Sequence, residues 1–436
     1  MVDLDLVRKN PDLYQTTCRH KNIKLDVKAF LKIDEERRAK MAEVQKMQAE
    51  RNAVSKSVPT IKDKAEKEKV IADMKKLADT LKSAEAALAP LEAEWNTMQL
   101  QLPSIPLATV PVGKDDKENV ENRKVGKIPT FDFTPKDHVT LAKELKLFDI
   151  ERGVKVAGAR SYFLTGDGAR LHMAVLKYTT DSLVKKGWTV VMPPLMVQAH
   201  YLMGTGFFPG SEEQIYTVGV RKGGATGDVE GDDLYLIGTS EVSVMGFHSD
   251  ETLEAAELPK KYCGVSNCFR REAGTYGKDT QGLYRIHQFD KVEQVVLCEA
   301  DEKKTLALFE EIRTNAEDVL NALKLPYRIM DVCTGDMGRG KIVMQDIETW
   351  MPSRNSYGET HSCSYLGDFQ TRRLAIKYKD ADGTKKFCHS LNNTCIASPR
   401  ILIPILEIYQ NKDGSVTIPE VLRPYMNGQE KITAHG

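Results

Sequence analysis

The chain has 436 residues, enough for two or three domains around a sizeable core. Its 62 basic and 62 acidic side chains cancel, which excludes a globally basic nucleic-acid binder and leaves only a local patch for such a role. No apolar run reaches the ~18 residues of a membrane helix, and the start, MVDLDLVRKNPDLYQ, has neither a signal-peptide core nor the acid-poor composition of a transit peptide, so a cytoplasmic protein without membrane contact is expected.

Composition divides the chain near residue 105. In the first part, Phe30, Ile33, Met41, Val44, Met47 and Val54 form a helical stripe whose register Arg37, Lys40 and Arg51 interrupt. Pro59, in SKSVPTIKDK, cannot continue a helix. A second stripe then runs Val70, Met74, Leu77, Leu81, Ala84, Leu88, Leu91, Trp95, Met98, a heptad seam with Pro90 inside it, where a kink is expected. Each stripe is too narrow to be buried alone, so the two helices should fold back as an antiparallel pair. The tip of that pair is basic. Between Arg51 and Lys76 there are eight basic residues, Arg51, Lys56, Lys62 and Lys64 among them, against four acids. That pattern suits either a solvated coiled-coil surface or an arm that tracks RNA phosphates; the scarcity of aromatics there favours shape and backbone contacts over stacked bases.

The proline-containing run LPSIPLATVPVGKDDKENVENRK reads as a linker. Beyond it helices and strands come in mixed order. DGARLHMAVLKYTTDSLVKKG and EKKTLALFEEIRTNAEDVLNALK are helical, as is RILIPILEIYQ despite Pro404. WTVVMPP, DLYLIG, KYCGVSNCFRR, LYRIHQFDKVEQVVL, YRIMDVC, QDIETWM and RRLAIKY read as strands. Without regular strand–helix alternation, the fold class is α+β rather than a doubly wound sheet. The eight cysteines form no CxxC pair. Cys263 with Cys268 and Cys388 with Cys395 lack zinc spacing, although His361 lies near Cys363 and His389 follows Cys388; reduced thiols and no zinc are expected.

The densest chemistry lies in SNCFRREAGTYGKDTQGLYRIHQFDKVE, Ser266 to Glu293. Alternation along a strand puts Arg270 and Glu272 on one face and Arg271 on the other, and puts His287, Phe289, Lys291 and Glu293 on one face of the return strand. Arginines in a half-buried sheet are costly unless they meet an anion or form cross-strand ion pairs, and a guanidinium fork suits phosphate. Neither a GxxxxGK[ST] loop nor a GxGxxG turn is present, and GRGKIV at Gly338 resembles neither. A nucleotide would therefore be held on a sheet by arginines.

These residues bring a family into view. CFRREAG…GLYRIHQFDKVE resembles motif 2 of class II aminoacyl-tRNA synthetases in the form carried by seryl-tRNA synthetases. LYLIGTSEV resembles that family's serine-binding TxE motif, LHMAVLKYTTDSLVKKGWTVVMPPLM its motif 1, and HSLNNTCIASPRILIPILEIYQ its motif 3. WMPSRNSYGETHSCSYLGDFQTRR and VTIPEVLRPYM extend the match over essentially the whole chain. The resemblance implies a homodimer and a six-stranded antiparallel catalytic sheet flanked by helices. It assigns residues 1–105 to a tRNA-binding domain with a helical arm and 106–436 to the catalytic domain. The implied substrates are ATP, L-serine and serine tRNA, with Mg²⁺; whether selenocysteine tRNA is also charged stays open.

The resemblance also implies site residues. Arg270 matches the arginine on the α-phosphate and Arg400 the motif 3 arginine on the γ-phosphate. Glu272, Ile286, His287, Gln288 and Phe289 match the adenine side, with Arg271 beside them as an ATP-side, structural or tRNA-facing charge. Glu359, Thr360, His361 and Ser362 match the phosphate segment, whose Glu359 and Ser362 are the Mg²⁺-linked pair. Thr239, Ser240, Glu241, Arg270, Glu293, Asn392 and Thr394 match the serine pocket, and Arg51, Lys56, Lys62 and Lys64 the tRNA contacts. The segment LNNTCIASPR departs from the commoner glycine-rich motif 3, so Asn393 loses glycine's backbone freedom. An insertion, GVRKGGATGDVEGDD, precedes the TxE motif as a flexible surface segment. Two other readings compete: a paralogue loading a carrier protein, against which the basic arm argues, and a catalytically dead homologue, against which Arg270, Arg400, Glu241 and Glu293 argue.

Overall fold

The computed structural model describes residues 2–221, 229–274 and 282–434. The middle of the expected insertion (222–228) and of the glycine-rich segment after Arg271 (275–281) lie outside the described residues. Contacts divide the chain into two compact units, Val2–Pro103 and the residues from Ser104 onward. Among the described residues no helix is long and apolar enough to cross a membrane.

The first unit is helical: α1 (Leu4–Lys9), α2 (Pro11–His20), α3 (Val27–Ser57) and α4 (Lys64–Gln99). Asp26 starts α3 by accepting from the Lys28 and Ala29 amides, and Asp63 starts α4 by accepting from Glu66. All nine seam positions of α4 are buried or half-buried, with Leu81 and Leu88 packed on Val44, Met41 and Met47 of α3. The interruption expected at Arg37 is a built contact: its guanidinium lies 4.1 Å from the Trp95 ring centre. α4 runs unbroken through Pro90.

The second unit is built on eight strands, not the six implied by resemblance: β1 (Val120–Val125), β2 (Thr189–Val191), β3 (Lys260–Phe269), β4 (Gln288–Cys298), β5 (Tyr327–Asp331), β6 (Val343–Met351), β7 (Ser356–Gly367) and β8 (His389–Ser398). Their order is β1-β5-β6-β7-β8-β4-β3-β2, antiparallel throughout except for the β2–β3 pair. The extra edge strand β1 comes from the charged run expected to be linker. Its side chains are nearly all exposed, and Arg123 reaches Glu317 at 2.6 Å, so charge blunts the sheet edge.

Helices α5 (Gly166–Lys185) and α7 (Glu302–Ala322) cover one face of the sheet, and the short α6 (Glu241–Gly246) starts at the TxE segment. Gln294 of β4 and Asn393 of β8 both donate to the Ile312 carbonyl of α7, at 2.8 and 2.7 Å. Alternation then sends Glu293, Asn392 and Thr394 to the opposite face. Three expectations are corrected. The strand read through Arg271 ends at Phe269, so strand alternation does not govern Arg270, Arg271 or Glu272; Glu272 sits at φ +51°. Its return partner starts only at Gln288. RRLAIKY is not one strand but the end of a short helix (Phe369–Arg373) followed by Lys377–Lys379, with Ala375 at φ +54° breaking the extended run between them. The flanks of the insertion are paired strands, Thr217–Arg221 against Val229–Leu236.

Candidate active site

The uncovered face of the sheet carries a cavity of about 390 Å³. β4 supplies Phe289, Lys291 and Glu293 to it, β7 supplies Thr360, His361 and Ser362, and β8 supplies Asn392 and Thr394. Thr239 and Glu241 enter from the start of α6, and Arg270, Glu272, Ile286, Glu359 and Arg400 from segments at the strand ends. Fourteen of the residues implied by resemblance therefore share one cavity. Four do not line it. The Ser240 hydroxyl is fully buried and donates to the Gly264 carbonyl at 3.4 Å. Arg271 is exposed, with its amide on the Gln214 carbonyl. Gln288 is exposed, and the His287 ring pairs with the Tyr216 hydroxyl at 2.5 Å. Burial, reinforced by the charge of Arg160, lowers the His287 pKa.

Two arginines are aimed by the backbone around them. Arg270 donates through Nε to the Gly238 carbonyl at 3.3 Å, and its guanidinium lies 5.4 Å from the Phe289 ring centre. Arg400 donates to the Tyr284 and Glu359 carbonyls, both at 3.0 Å, and stacks 4.5 Å from the Tyr284 ring centre. Glu272 accepts from Arg285 at 3.2 Å, which holds its carboxylate at the cavity wall.

A second group is acidic and buried. Glu241 Oε1 accepts from Gln370 at 2.6 Å and from Asn392 at 2.7 Å. Glu293 Oε2 lies 2.7 Å from Lys291 Nζ and accepts from Thr394 at 3.2 Å. Burial raises the Glu241 pKa and the nearby Glu293 raises it further, while Gln370, Lys291 and Lys341 oppose the rise. Thr239 Oγ1 is buried with no hydrogen-bond partner among the described residues, an orphan that a bound polar ligand would satisfy.

A third group lies where β6 faces β7. Asp346 is paired in register with Ser362, accepts a hydrogen bond from it, and stands near Glu359. Burial and then the charge of Glu359 push the Asp346 pKa well above the usual carboxylate range. Its Oδ1 is buried without a hydrogen-bond partner among the described residues. His361 is neutral: burial pulls its pKa down to about 3, and its ring meets Thr360 at 2.8 Å and the Cys395 carbonyl at 3.1 Å.

Sequence reasoning passed over five residues here: Tyr284, Lys291, Arg339, Lys341 and Asp346. Arg339 and Lys341 belong to the GRGK run, which does line the cavity. Its Gly340 is required by packing, since a Cβ there would lie 2.4 Å from the Phe369 ring. Lys291 was already on the cavity face by alternation; its pairing with Glu293, two residues on, was the available signal.

Comparison with known proteins follows the same division of the chain. Residues 1–106 match the seryl-tRNA synthetase N-terminal domain, and residues 216–409 match the tRNA synthetase class II core domain (G, H, P, S and T). The serine–tRNA ligase of Deinococcus radiodurans is 46% identical over 99% of both chains, and that of Laribacter hongkongensis 42% identical over 100% of both. Among solved structures, seryl-tRNA synthetase from Pyrococcus horikoshii complexed with ATP superposes with a TM-score of 0.87 at 34% identity over 100% of both chains.

Proposed function

The chain belongs to the seryl-tRNA synthetase family, a class II serine–tRNA ligase that joins serine to tRNA with ATP, and from that premise we propose how its own residues divide the work. Arg270 and Arg400 hold the ATP phosphates, Phe289 and Glu272 the adenine, and Thr239, Glu241, Glu293, Asn392 and Thr394 the serine. The observation that carries this reading is the shared cavity of aimed guanidiniums and buried, hydrogen-bonded acids. Serine's carboxylate is ionised at neutral pH, so it attacks the α-phosphorus without a general base. The new bond is acyl–phosphate, and pyrophosphate leaves. The 3′-terminal hydroxyl of the tRNA then attacks the seryl carbonyl and AMP leaves. Positioning and charge stabilisation do the work, supplied by the cations and acids that line the cavity.

The residues around Asp346 fit a divalent cation such as Mg²⁺. Two carboxylates, Asp346 and Glu359, stand beside the Ser362 hydroxyl, and a buried carboxylate oxygen lacks a partner among the described residues. A bound Mg²⁺ would supply charge neutralisation at the phosphates. The protein's part is to hold these oxygens and to keep Arg400 beside them through the Glu359 carbonyl.

We further read residues 1–105 as the tRNA-binding domain and 106–436 as the catalytic domain. The exposed Arg51, Lys56, Lys62 and Lys64 at the arm's tip support a phosphate contact. A homodimer is what the family implies, and the exposed apolar Met173, Met192, Met196 and Phe247, with Met192 83% exposed, are candidates for its interface. A cytoplasmic place suits an enzyme of translation. The deciding experiment is ATP–pyrophosphate exchange across all twenty amino acids without tRNA. Exchange with serine alone is expected; exchange with none from a folded protein would overturn the active-site reading.

A further inference from the structure

The Lys291–Glu293 pair is a buried ion pair on the wall of the cavity, 6% and 2% exposed. Desolvating both charges offsets most of what their attraction returns, so such a pair adds little stability over an apolar replacement. Its place in the cavity calls for another reason. The charges facing this corner come from four elements: Lys291 and Glu293 on β4, Glu241 on α6, Lys341 from the segment before β6, and Arg270 beyond β3. Gln370, Asn392 and Thr394 face it as neutral groups.

Each acid has one oxygen committed to the protein and one with no hydrogen bond among the described residues. Glu241 Oε1 takes Gln370 and Asn392; Glu293 Oε2 takes Lys291 and Thr394. Two buried carboxylates that sense one another normally share a proton. A shared proton would turn one of the open oxygens into a donor. The amino acid presents donors there, an ammonium and a side-chain hydroxyl, so a protonated acid would oppose them.

We propose that Lys291 is a specificity-determining residue that takes the place of that proton: its ammonium, 2.7 Å from Glu293 and 3.4 Å from Thr394, keeps both Glu241 and Glu293 as acceptors, so that the pocket receives a small amino acid carrying a hydroxyl rather than one carrying only a methyl. Taken with Lys291, the two carboxylates Glu241 and Glu293 carry a net charge of −1 and offer two acceptors. With a proton instead they carry the same charge and offer one acceptor fewer. The inference rests on the serine-pocket reading above.

The test is ATP–pyrophosphate exchange with serine and with alanine, for the full chain and for Lys291→Met, between about pH 6 and 8. Wild-type exchange with serine separates the two ideas, because its absence would sink the pocket reading itself. In Lys291→Met the acid limb of kcat/KM for serine should move up by about one pH unit or more. The serine-to-alanine preference should fall at least ~10-fold at the low end and recover as pH rises and the extra proton leaves. KM for ATP should stay unchanged, and Lys291→Arg should keep the wild-type acid limb. A purely structural lysine would give a pH-independent loss. If Lys291→Met has no cooperative melt, Lys291→Gln, which still donates but carries no charge, takes its place with the same expectations. An unmoved acid limb, or a preference for serine that does not change with pH, overturns the proposal.

Discussion

The imidazole of His172 joins Ser398 to Asp290: Nδ1 lies 2.8 Å from the Ser398 hydroxyl and Nε2 2.9 Å from the Asp290 carboxylate. His172 stands on α5, Asp290 follows Phe289 on β4, and Ser398 precedes Arg400 by two residues. The arrangement has the order of a hydrolytic triad, but Ser398 is fully buried and cannot reach a substrate. Its role is to tie three separate segments together behind the cavity. His172→Ala should leave the buried Ser398 hydroxyl without its partner, while Asp290 keeps Asn267, and cost about 1 kcal/mol of stability. Because the ring anchors the neighbours of Phe289 and Arg400, KM for ATP should rise while the serine-to-alanine preference holds. Exchange kinetics with each substrate varied in turn check this; an unchanged KM for ATP in a folded variant would count against the coupling.

Arg270→Ala should lower adenylate formation ~10²-fold or more, because its guanidinium is the group held over Phe289 from the Gly238 carbonyl. The side chain is exposed and makes no core contact, so the melting temperature should stay within the wild-type range. Pyrophosphate exchange and a thermal melt on the same preparation decide it. Normal exchange would remove Arg270 from the phosphate site.

Much of this site was legible because its chemistry is carried by short segments whose order along the chain survives in the fold. TSE, FRRE, HQF, ETHS and the run through Arg400 each bring at least one residue to the cavity. The α4 seam was equally plain, since one apolar stripe dictates one buried face. The unreadable part depends on pairs distant in sequence. Ser398 meets His172 across 226 residues, and nothing local marks either. At the altered motif 3, Asn393 keeps ordinary extended backbone inside β8, so the lost glycine freedom is not needed there. The strand ends were misread because Arg270 and Glu272 leave the ladder to face the cavity, and Glu272 does so at positive φ.

Replacing Lys56, Lys62 and Lys64 at the arm's tip with glutamine should weaken tRNA charging far more than pyrophosphate exchange. All three are exposed, so folding should be unaffected. If they meet phosphates, the slope of log affinity against log salt should fall by about one for each contact removed. Filter binding at several salt concentrations measures that slope. Equal losses in charging and exchange would show that the tip is not the tRNA contact.

Asp34 carries the prediction for the arm itself. Its carboxylate is 1% exposed and accepts from Arg8 at 2.9 Å, Arg38 at 3.1 Å and the Trp95 indole at 3.0 Å, joining α1, α3 and α4. Burial alone would raise its pKa, but the bonds from Arg8 and Trp95 and the charges of Arg8 and Arg38 outweigh it and hold the pKa below the usual value. A depressed folded pKa means that the ionised form is bound more tightly in the folded state. The stabilisation is therefore complete above the unfolded value of about 3.9 and is lost as pH falls through the lower folded value. Near neutrality Asp34→Ala should cost about 2 kcal/mol, chiefly because the buried Trp95 indole loses its acceptor, while the part-exposed Arg8 and Arg38 are rescued by solvent. Asp34→Asn should cost less, since the amide oxygen still accepts from Trp95. Hydrogen exchange of the α3 and α4 amides in the full chain reads this directly: faster exchange confined to the first unit is expected, and equal protection in Asp34→Ala and wild type would mean that the apolar seam alone holds the arm together.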